Sequence, residues 1–261
     1  MLYLNAELKK FFSNSDPFEI LKDLNGTVYR QVQTRKTFRF EHNGKSYFAK
    51  VHTGVGWIEI FKNFIQFKKP ILGARDEWTA LNFLKQIPIS TMNVVAYGEK
   101  GWNPAKLKSF VITEELKQTI SLEDYCLNWL DAEPSLSIRR SLIREVANFA
   151  SAIHAHGVCH RDLYLCHFLL HKDGDYFPKL SLIDLHRALL RKKLPKRWII
   201  KDIAGLYYSA MGIGLSKRDL LRFIRQYTTL NKELAYRTNR RFWKIVESKA
   251  DSMHKKLGPA R

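Results

Sequence analysis

Two alternating segments around a short turn constrain the fold of this chain more than any other feature. Residues 37–41 alternate aromatic and polar side chains, and residues 46–51 return with a similar pattern. Asn43-Gly44 stands between them, and this pair favours the two-residue turn of a β-hairpin. The sequence therefore predicts a small antiparallel sheet with which the chain opens. Three further strands are expected in it, at residues 28–32, 93–98 and 109–113.

Two helices are predicted next to these strands, over residues 57–69 and 74–86. The first of them places Ile58, Phe61 and Ile65 at helical spacing among lysines, so it is aromatic on one side and basic on another. Two readings of this helix stay open. Its apolar side chains either pack onto the small sheet or contact a membrane or lipid.

Beyond the last of these strands the pattern changes to helices. Ser121 and Asp124 have the spacing of a capping box, and a long helix is predicted to end at Gly157. Helices are expected from there to the C terminus. We therefore predict an α+β, bilobal fold, with a small mixed N-terminal lobe over residues 1–115 and a larger, mostly helical C-terminal lobe over residues 116–261.

The charge of the chain limits its partners. Among 261 residues, 44 are Lys or Arg and 25 are Asp or Glu, which gives a formal net charge of +19. Nucleic acid, an acidic membrane surface, a phosphorylated substrate and an acidic protein all fit this charge. No apolar stretch reaches the roughly 20 residues that a membrane-spanning helix needs. The three cysteines are an odd count, which is typical of reduced thiols in the cytosol.

Four charged side chains are candidates for catalytic or binding residues. Lys50 ends an apolar strand and Glu77 lies on the second predicted helix, so the two could form an ion pair. Asp162 is the last residue of the run His160-Arg161-Asp162, and Asp184 ends a predicted apolar strand 22 residues later. Each residue alone fits an ordinary surface charge. Together they supply what phosphoryl transfer requires: a cation for nucleotide phosphates, a carboxylate for magnesium and a carboxylate for the acceptor proton.

The order of these residues resembles the protein-kinase-like fold over residues 28–205. The resemblance implies ATP and Mg²⁺ as cofactors. It also implies that Lys50 neutralises the α and β phosphates, that Glu77 positions Lys50, and that backbone groups of Glu115 and Leu116 hold the adenine.

The same resemblance assigns roles after the long helix. Asp162 would accept or orient the proton of the acceptor hydroxyl, Arg161 would brace the loop, and Asp184 would hold magnesium. His167 stands five residues after Asp162, where kinases keep a metal-binding asparagine. Imidazole is a softer ligand than an amide oxygen, so the number of metal ions stays open. Asp202 resembles the buried aspartate that braces the catalytic loop in such folds.

Three departures from the kinase pattern limit the comparison. The connection over residues 33–36 has no glycine, so Arg35 or Lys36 could take the place of backbone amides at the phosphates. His167 is the second departure. Asp184 is not followed by Phe-Gly, and no activation segment is recognisable after it. These features favour a small-molecule or glycan kinase over a phosphorylation-switched protein kinase.

A closer resemblance covers nearly the whole chain. The sequence is similar to the lipopolysaccharide core heptose kinases of Gram-negative bacteria over residues 97–101, 119–126, 160–171, 183–188 and 202–215. This resemblance implies transfer of the ATP γ-phosphoryl group to the 4-hydroxyl of the first heptose of the inner core. It places the reaction at the cytoplasmic face of the inner membrane.

The expected partners follow from this family. They are the lipopolysaccharide core as acceptor, an anionic membrane surface to which the protein binds peripherally, and acyl carrier protein. Nucleic acid is not expected. Two alternatives stay open: a kinase with another acceptor (an octulosonic-acid sugar, an aminoglycoside or protein tyrosine), and a non-catalytic, basic nucleic-acid binder.

Overall fold

The computed structural model describes residues 1–13, 15–32, 34–65, 70–172, 178–229 and 240–260. The chain forms two compact units. The first comprises Met1–Phe83, Met92–Leu116 and Leu185–Arg187, and the second comprises Leu84–Thr91, Lys117–Asp184 and Ala188–Arg261. The functional division between residues 1–115 and 116–261 stays a prediction.

A six-stranded antiparallel sheet is the frame of the first unit. Across the sheet, its strands are β1 (Leu2–Leu4), β5 (Val94–Lys100), β6 (Lys108–Glu114), β4 (Lys45–His52), β3 (Arg35–His42) and β2 (Thr27–Val32). All five predicted strands are present. The β3–β4 hairpin turns at Asn43 and Gly44, with φ of 49° and 71°. A type I′ turn requires positive φ at both central positions, which is why this residue pair predicts it.

Three elements that the sequence did not predict precede the first predicted strand. They are β1, α1 (Ala6–Phe12) and α2 (Pro17–Asp23). Each helix has seven residues, too few for a clear hydrophobic period. Packing stabilises them, because they bury Leu8, Phe12 and Leu21 in the core of the sheet. That core also contains Phe38, Phe40, Tyr47, Ala49, Val95, Ala96, Phe110 and Ile112.

Two helices follow β4 in the first unit, α3 (Gly56–Ile65) and α4 (Arg75–Leu84). Residues 66–69, the end of the first predicted helix, lie outside the described residues. The second helix is shorter than its predicted range because residues 85–88 form turns. A 3-10 helix (Pro104–Lys106) packs against α3.

The second unit is mostly helical. Its helices are α5 (Leu122–Cys126), α6 (Leu136–Ala155), α7 (Lys196–Ala210), α8 (Lys217–Thr229) and α9 (Arg240–Leu257). Helix α6 packs on α8, and α7 packs on α9. No helix among the described residues is both long enough and apolar enough to span a bilayer.

Short strands interrupt the helices of this unit, and most of them were not predicted. The apolar strand that was expected to end at Asp184 ends at Leu182. One antiparallel sheet contains β10 (Leu180–Leu182), β9 (Phe168–His171) and β7 (Thr119–Ser121). A second pair joins β8 (Val158–Cys159) to β11 (Leu189–Leu190). These strands have two to four residues each, which is too short to show an alternating pattern.

The predicted ends of two helices are confirmed. The Ser121 hydroxyl accepts from the backbone N–H of Asp124 at 3.0 Å at the start of α5. At the end of α6, Gly157 adopts φ of 77°, and a Cβ there would lie 1.7 Å from the carbonyl oxygen of Arg191. Only glycine satisfies both conditions. This glycine turns the chain from α6 directly into β8.

The Gly157→Ala variant should therefore be less stable than the wild type. A left-handed alanine and the displaced Arg191 backbone together should lower the free energy of unfolding by about 2 kcal/mol or more. Circular dichroism melting measures the change. Gly212→Ala is the matched control, since a Cβ there meets no atom within 4 Å. Equal melting temperatures for the two variants would contradict the packing described here.

Candidate active site

The predicted ion pair of the first unit is present. Lys50 on β4 donates from Nζ to Oε1 of Glu77 on α4 at 2.7 Å. The Glu77 side chain is 1% exposed and the Lys50 side chain 17%. Strand β4 lies between β3 and β6, so Lys50 extends from an interior strand of the sheet. The pair holds a cation in a fixed, largely desolvated position, while its role toward a nucleotide stays a prediction.

Arg35 does not lie in a connection, contrary to the prediction. It is the first residue of β3, where it pairs with Val32 on β2 and with His52 on β4. The hydrogen-bonded register with β4 continues two residues beyond the aromatic alternation that defined the predicted strand. The predicted connection therefore shrinks to residues 33 and 34, of which residue 33 is outside the described range.

Glu115 directly follows β6, and both its backbone N–H and its carboxylate are hydrogen-bonded. Its backbone N–H donates to the carbonyl oxygen of Ser46 at 2.9 Å. Its carboxylate accepts from Nε of Arg39 at 2.9 Å. An adenine contact of Glu115 would therefore have to use its carbonyl group. The adenine contacts of Glu115 and Leu116 stay predictions.

In the second unit, a buried carboxylate holds the segment that carries Asp162. The two oxygens of Asp202 on α7 accept from the backbone N–H groups of His160 and Arg161, each at 2.7 Å. The predicted brace by Asp202 is therefore present. Arg161 adopts a φ of 73°, and its guanidinium lies 5.4 Å from the ring centre of Trp198. Arg161 thus packs inside the unit, which fits bracing of the loop.

The side chains that bind Asp202 from behind were not predicted from the sequence. Nε2 of His154 on α6 donates to Asp202 at 3.2 Å, and Nδ1 is hydrogen-bonded to the hydroxyl of Tyr227 on α8 at 2.8 Å. Burial alone would raise the pKa of Asp202, but the hydrogen bond and charge of His154 outweigh it and the pKa lies below its usual value. Three helices thus converge on one ionised carboxylate.

Two histidines connect the segment that carries Asp162 to the segment that carries Asp184. Nε2 of His160 lies 2.9 Å from the carbonyl oxygen of Ile183, and Nδ1 of His167 lies 2.7 Å from the carbonyl oxygen of Asp162. A carbonyl only accepts, so these two nitrogens carry protons. The two rings stack at 5.4 Å. Burial lowers the pKa of His160, so its imidazole is neutral near pH 7.

The hydrogen bond from Nδ1 of His167 leaves its other ring nitrogen facing Asp184. Nε2 lies 3.6 Å from Oδ2 of Asp184 and is the ring nitrogen that could act as a metal ligand. One carboxylate and one imidazole nitrogen fit a divalent cation that takes its other ligands from phosphate and water. Within the described part of the chain, no set of three or more His, Cys, Asp or Glu residues is grouped for metal binding.

The second unit therefore brings together Asp162, His167, Asp184 and Arg161. Asp184 lies two residues after the end of β10 and adopts a left-handed φ of 61°. The first unit contains Lys50, Glu77, Arg35, Glu115 and Leu116.

The three cysteines are free thiols, as predicted. Burial raises the pKa of Cys126 to about 12 and that of Cys166 to about 11, and it raises the pKa of Cys159 further. All three thiols are therefore protonated near neutral pH. They do not provide a nucleophile at this site.

His52, at the end of β4, is a buried titratable group that the sequence reading missed. It is 4% exposed. Burial lowers the pKa of His52 to about 4, and the positive charges of Arg35, Lys50 and His186 act in the same direction. A polar residue two positions after Lys50, on an apolar strand, was the available signal.

Comparisons with known proteins identify relatives of this chain. The profile of the lipopolysaccharide kinase (Kdo/WaaP) family matches residues 19–227. Two curated proteins named lipopolysaccharide core heptose(I) kinase WaaP, from Escherichia coli and Pseudomonas aeruginosa, are each 47% identical to the chain. Each alignment covers 87% of this chain, and 87% and 85% of those proteins respectively.

The fold has a solved counterpart. The structure of WaaP in complex with acyl carrier protein matches with a TM-score of 0.83 at 40% sequence identity. The match covers 97% of this chain and 99% of that one. The predicted α+β, kinase-like fold class is confirmed.

The pKa of His52 leads to a test by pH. As pH falls from 6.5 toward 4, the unfolded chain binds a proton at this residue and the folded chain does not. The free energy of unfolding therefore decreases by up to about 3 kcal/mol. The His52→Asn variant should melt with a shallower pH dependence over this window. His156→Asn, at an exposed position, should keep the wild-type slope. Identical slopes for all three proteins would show that His52 titrates normally.

Proposed function

Because this chain belongs to the lipopolysaccharide kinase (Kdo/WaaP) family, we propose that it transfers the γ-phosphoryl group of ATP to the first heptose of the lipopolysaccharide inner core. The acceptor atom is the 4-hydroxyl oxygen. Three curated relatives that carry the heptose(I) kinase name are 46% to 47% identical to the chain, which supports this acceptor. The arrangement of Asp162, His167 and Asp184 is the observation that carries the proposal.

Asp162 is the proposed base. Its backbone carbonyl is bound by His167, and the two residues before it are bound by Asp202, so its position is set from both sides. The acceptor oxygen forms a bond to the γ phosphorus while the bond to the ADP oxygen breaks, and the hydroxyl proton passes to Asp162. A positioned base of this kind contributes on the order of 10² to 10⁴ in rate.

Lys50 is the proposed cation for the α and β phosphates. Its ammonium is held by Glu77, which fixes its position before a nucleotide binds. Since the β2–β3 connection has no glycine, side-chain cations such as Arg35 would have to replace some backbone amides. Arg35 lies on the strand next to that of Lys50, which supports a shared role at the phosphates.

Magnesium would be held by Asp184 and His167. A bound ion would neutralise charge on the transferred phosphoryl group. Asp184 provides the hard carboxylate oxygen that Mg²⁺ prefers, and His167 provides a softer nitrogen whose direction is fixed by its other ring nitrogen.

Acyl carrier protein is the proposed protein partner. A solved relative is in complex with this protein, and a small acidic partner complements a chain of +19. The second unit also contains an apolar cavity of about 370 Å³, into which an acyl chain could fit. Its lining includes Leu122, Trp129, Val146, Leu206, Phe223 and Trp243.

The proposed location is the cytoplasmic face of the inner membrane of a Gram-negative bacterium, where the protein binds peripherally. The charge of +19 supports contact with an anionic surface. The curated relatives come from Escherichia coli and Pseudomonas aeruginosa.

Asp162→Asn and Asp184→Asn should each reduce phosphate transfer by at least about 10²-fold. The assay combines ATP, magnesium, the protein and dephosphorylated core lipopolysaccharide, and mass spectrometry locates the added phosphate. Melting temperature should stay near that of the wild type, and the exposed Asp131→Asn variant is the control. Wild-type turnover of either variant would reject the role of that residue. Phosphate on an octulosonic-acid sugar would instead assign a different acceptor.

His167→Asn should change which metal the protein prefers. An amide oxygen in place of the imidazole nitrogen favours Mg²⁺, so the ratio of Mn²⁺ affinity to Mg²⁺ affinity should fall by about three- to tenfold. Electron paramagnetic resonance of bound Mn²⁺, with a non-hydrolysable ATP analogue present, measures this ratio by competition. His156→Asn is the control. An unchanged ratio would show that His167 is not a metal ligand.

A further inference from the structure

Helix α3 exposes its apolar side chains instead of burying them. No residue of Gly56–Ile65 is buried. Most surface helices turn an apolar stripe toward the core, whereas here the large apolar side chains are between 51% and 87% exposed. They are Trp57, Ile58, Phe61, Phe64 and Ile65.

The apolar stripe of α3 points away from the unit that carries it. Only Ile60 and Asn63 in this helix are half-buried, so they mark the side that faces the protein. At about 100° per residue, Ile58 and Ile65 lie about 170° from that side, and Phe61 lies next to them. The helix therefore presents its most hydrophobic edge to its surroundings.

A second exposed aromatic residue lies beside α3. The 3-10 helix (Pro104–Lys106) packs against α3, and the chain approaches it closely at Gly54, where a Cβ would lie 2.7 Å from the carbonyl oxygen of Ala105. Trp102, two residues before this short helix, is 93% exposed. Exposed indole rings are typical of the layer where lipid headgroups meet acyl chains.

The charges around these side chains are predominantly positive. Lys62 on α3 is exposed, with Glu59 3.9 Å away as its weak partner. Lys106 on the neighbouring 3-10 helix is exposed as well. Ammonium groups next to an apolar edge can bind lipid phosphates while the apolar side chains enter the acyl region.

We propose that α3 and Trp102 form a membrane-docking element that inserts into the interfacial layer of a bilayer containing anionic lipid. The outward apolar edge of α3 would be buried in the interfacial layer, and Trp102 provides an interfacial anchor. Lys62 and Lys106 provide attraction to anionic headgroups. An anionic bilayer matches all three features, whereas a protein groove would account only for the apolar edge.

This docking deepens the proposed function. If the acceptor is the lipopolysaccharide core, it is attached to lipid, and a kinase bound to the same surface meets it at a high local concentration. Docking itself does not depend on the acceptor. The proposal of docking and the proposal of heptose phosphorylation can therefore fail separately.

The test measures binding of the full chain to vesicles of phosphatidylethanolamine and phosphatidylglycerol by cosedimentation. Ile58→Gln/Ile65→Gln should bind at least about tenfold more weakly than the wild type, because each glutamine removes apolar surface without adding charge. Both positions are exposed, so folding should be preserved, and melting curves check this. Leu221→Gln is the matched control, since Leu221 is 64% exposed on α8.

Two further measurements decide between explanations. Wild-type binding should weaken in phosphatidylethanolamine-only vesicles and at high salt, because the lysines then lose their partners. The double variant should phosphorylate core oligosaccharide without lipid as fast as the wild type, and lose activity only on acceptor in vesicles. Equal vesicle binding by the double variant and the wild type would overturn the proposal. So would a wild-type oligomer that the double variant converts to monomer, since a second copy would then cover α3.

Discussion

The carboxylate of Asp202 sets the backbone on which the proposed chemistry depends. A fully buried carboxylate is unfavourable unless its oxygens are bound, and here they accept from two backbone N–H groups and from His154. The two N–H groups belong to the residues directly before Asp162. The position of Asp162 is therefore fixed by groups on α6 and α7 that take no part in the reaction. Loss of any one partner would leave one hydrogen bond of this buried charge unmade, which is unfavourable.

The histidines fix the position of Asp184 relative to the segment that carries Asp162. Backbone carbonyls fix the tautomers of His160 and His167, so the donor nitrogen of His167 needs no reorganisation to face Asp184. The first unit achieves the same kind of preorganisation with a single ion pair, since Glu77 holds Lys50 on an interior strand. In both units, groups that would be mobile at a surface are held in one arrangement.

Sequence patterns predicted the parts of the structure that depend on local chemistry. The Asn43-Gly44 turn, the end of α6 at Gly157 and the Lys50–Glu77 pair all follow from residue type and spacing. The same patterns did not reveal α1 and α2, because helices of seven residues are stabilised by packing and not by their own period.

The structural features that the sequence did not predict have a common origin in long-range pairing. The place of Arg35 on β3 follows from its register with β4, which the alternation of side chains does not show. The Glu115 amide is taken by Ser46, which is remote in sequence. His52 and Tyr227 were missed because burial changes their chemistry, and burial depends on the whole fold.

The cysteines next to the proposed site bear on how this kinase could be inhibited. Cys166 immediately precedes His167, which makes it an obvious target for an electrophilic warhead. Burial raises its pKa to about 11, so only about one thiol in 10⁴ is ionised at neutral pH. Acrylamide-type reagents attack thiolates, and they should therefore label this chain slowly. Reversible ligands that use the Lys50–Glu77 pair offer a better starting point for inhibitor design.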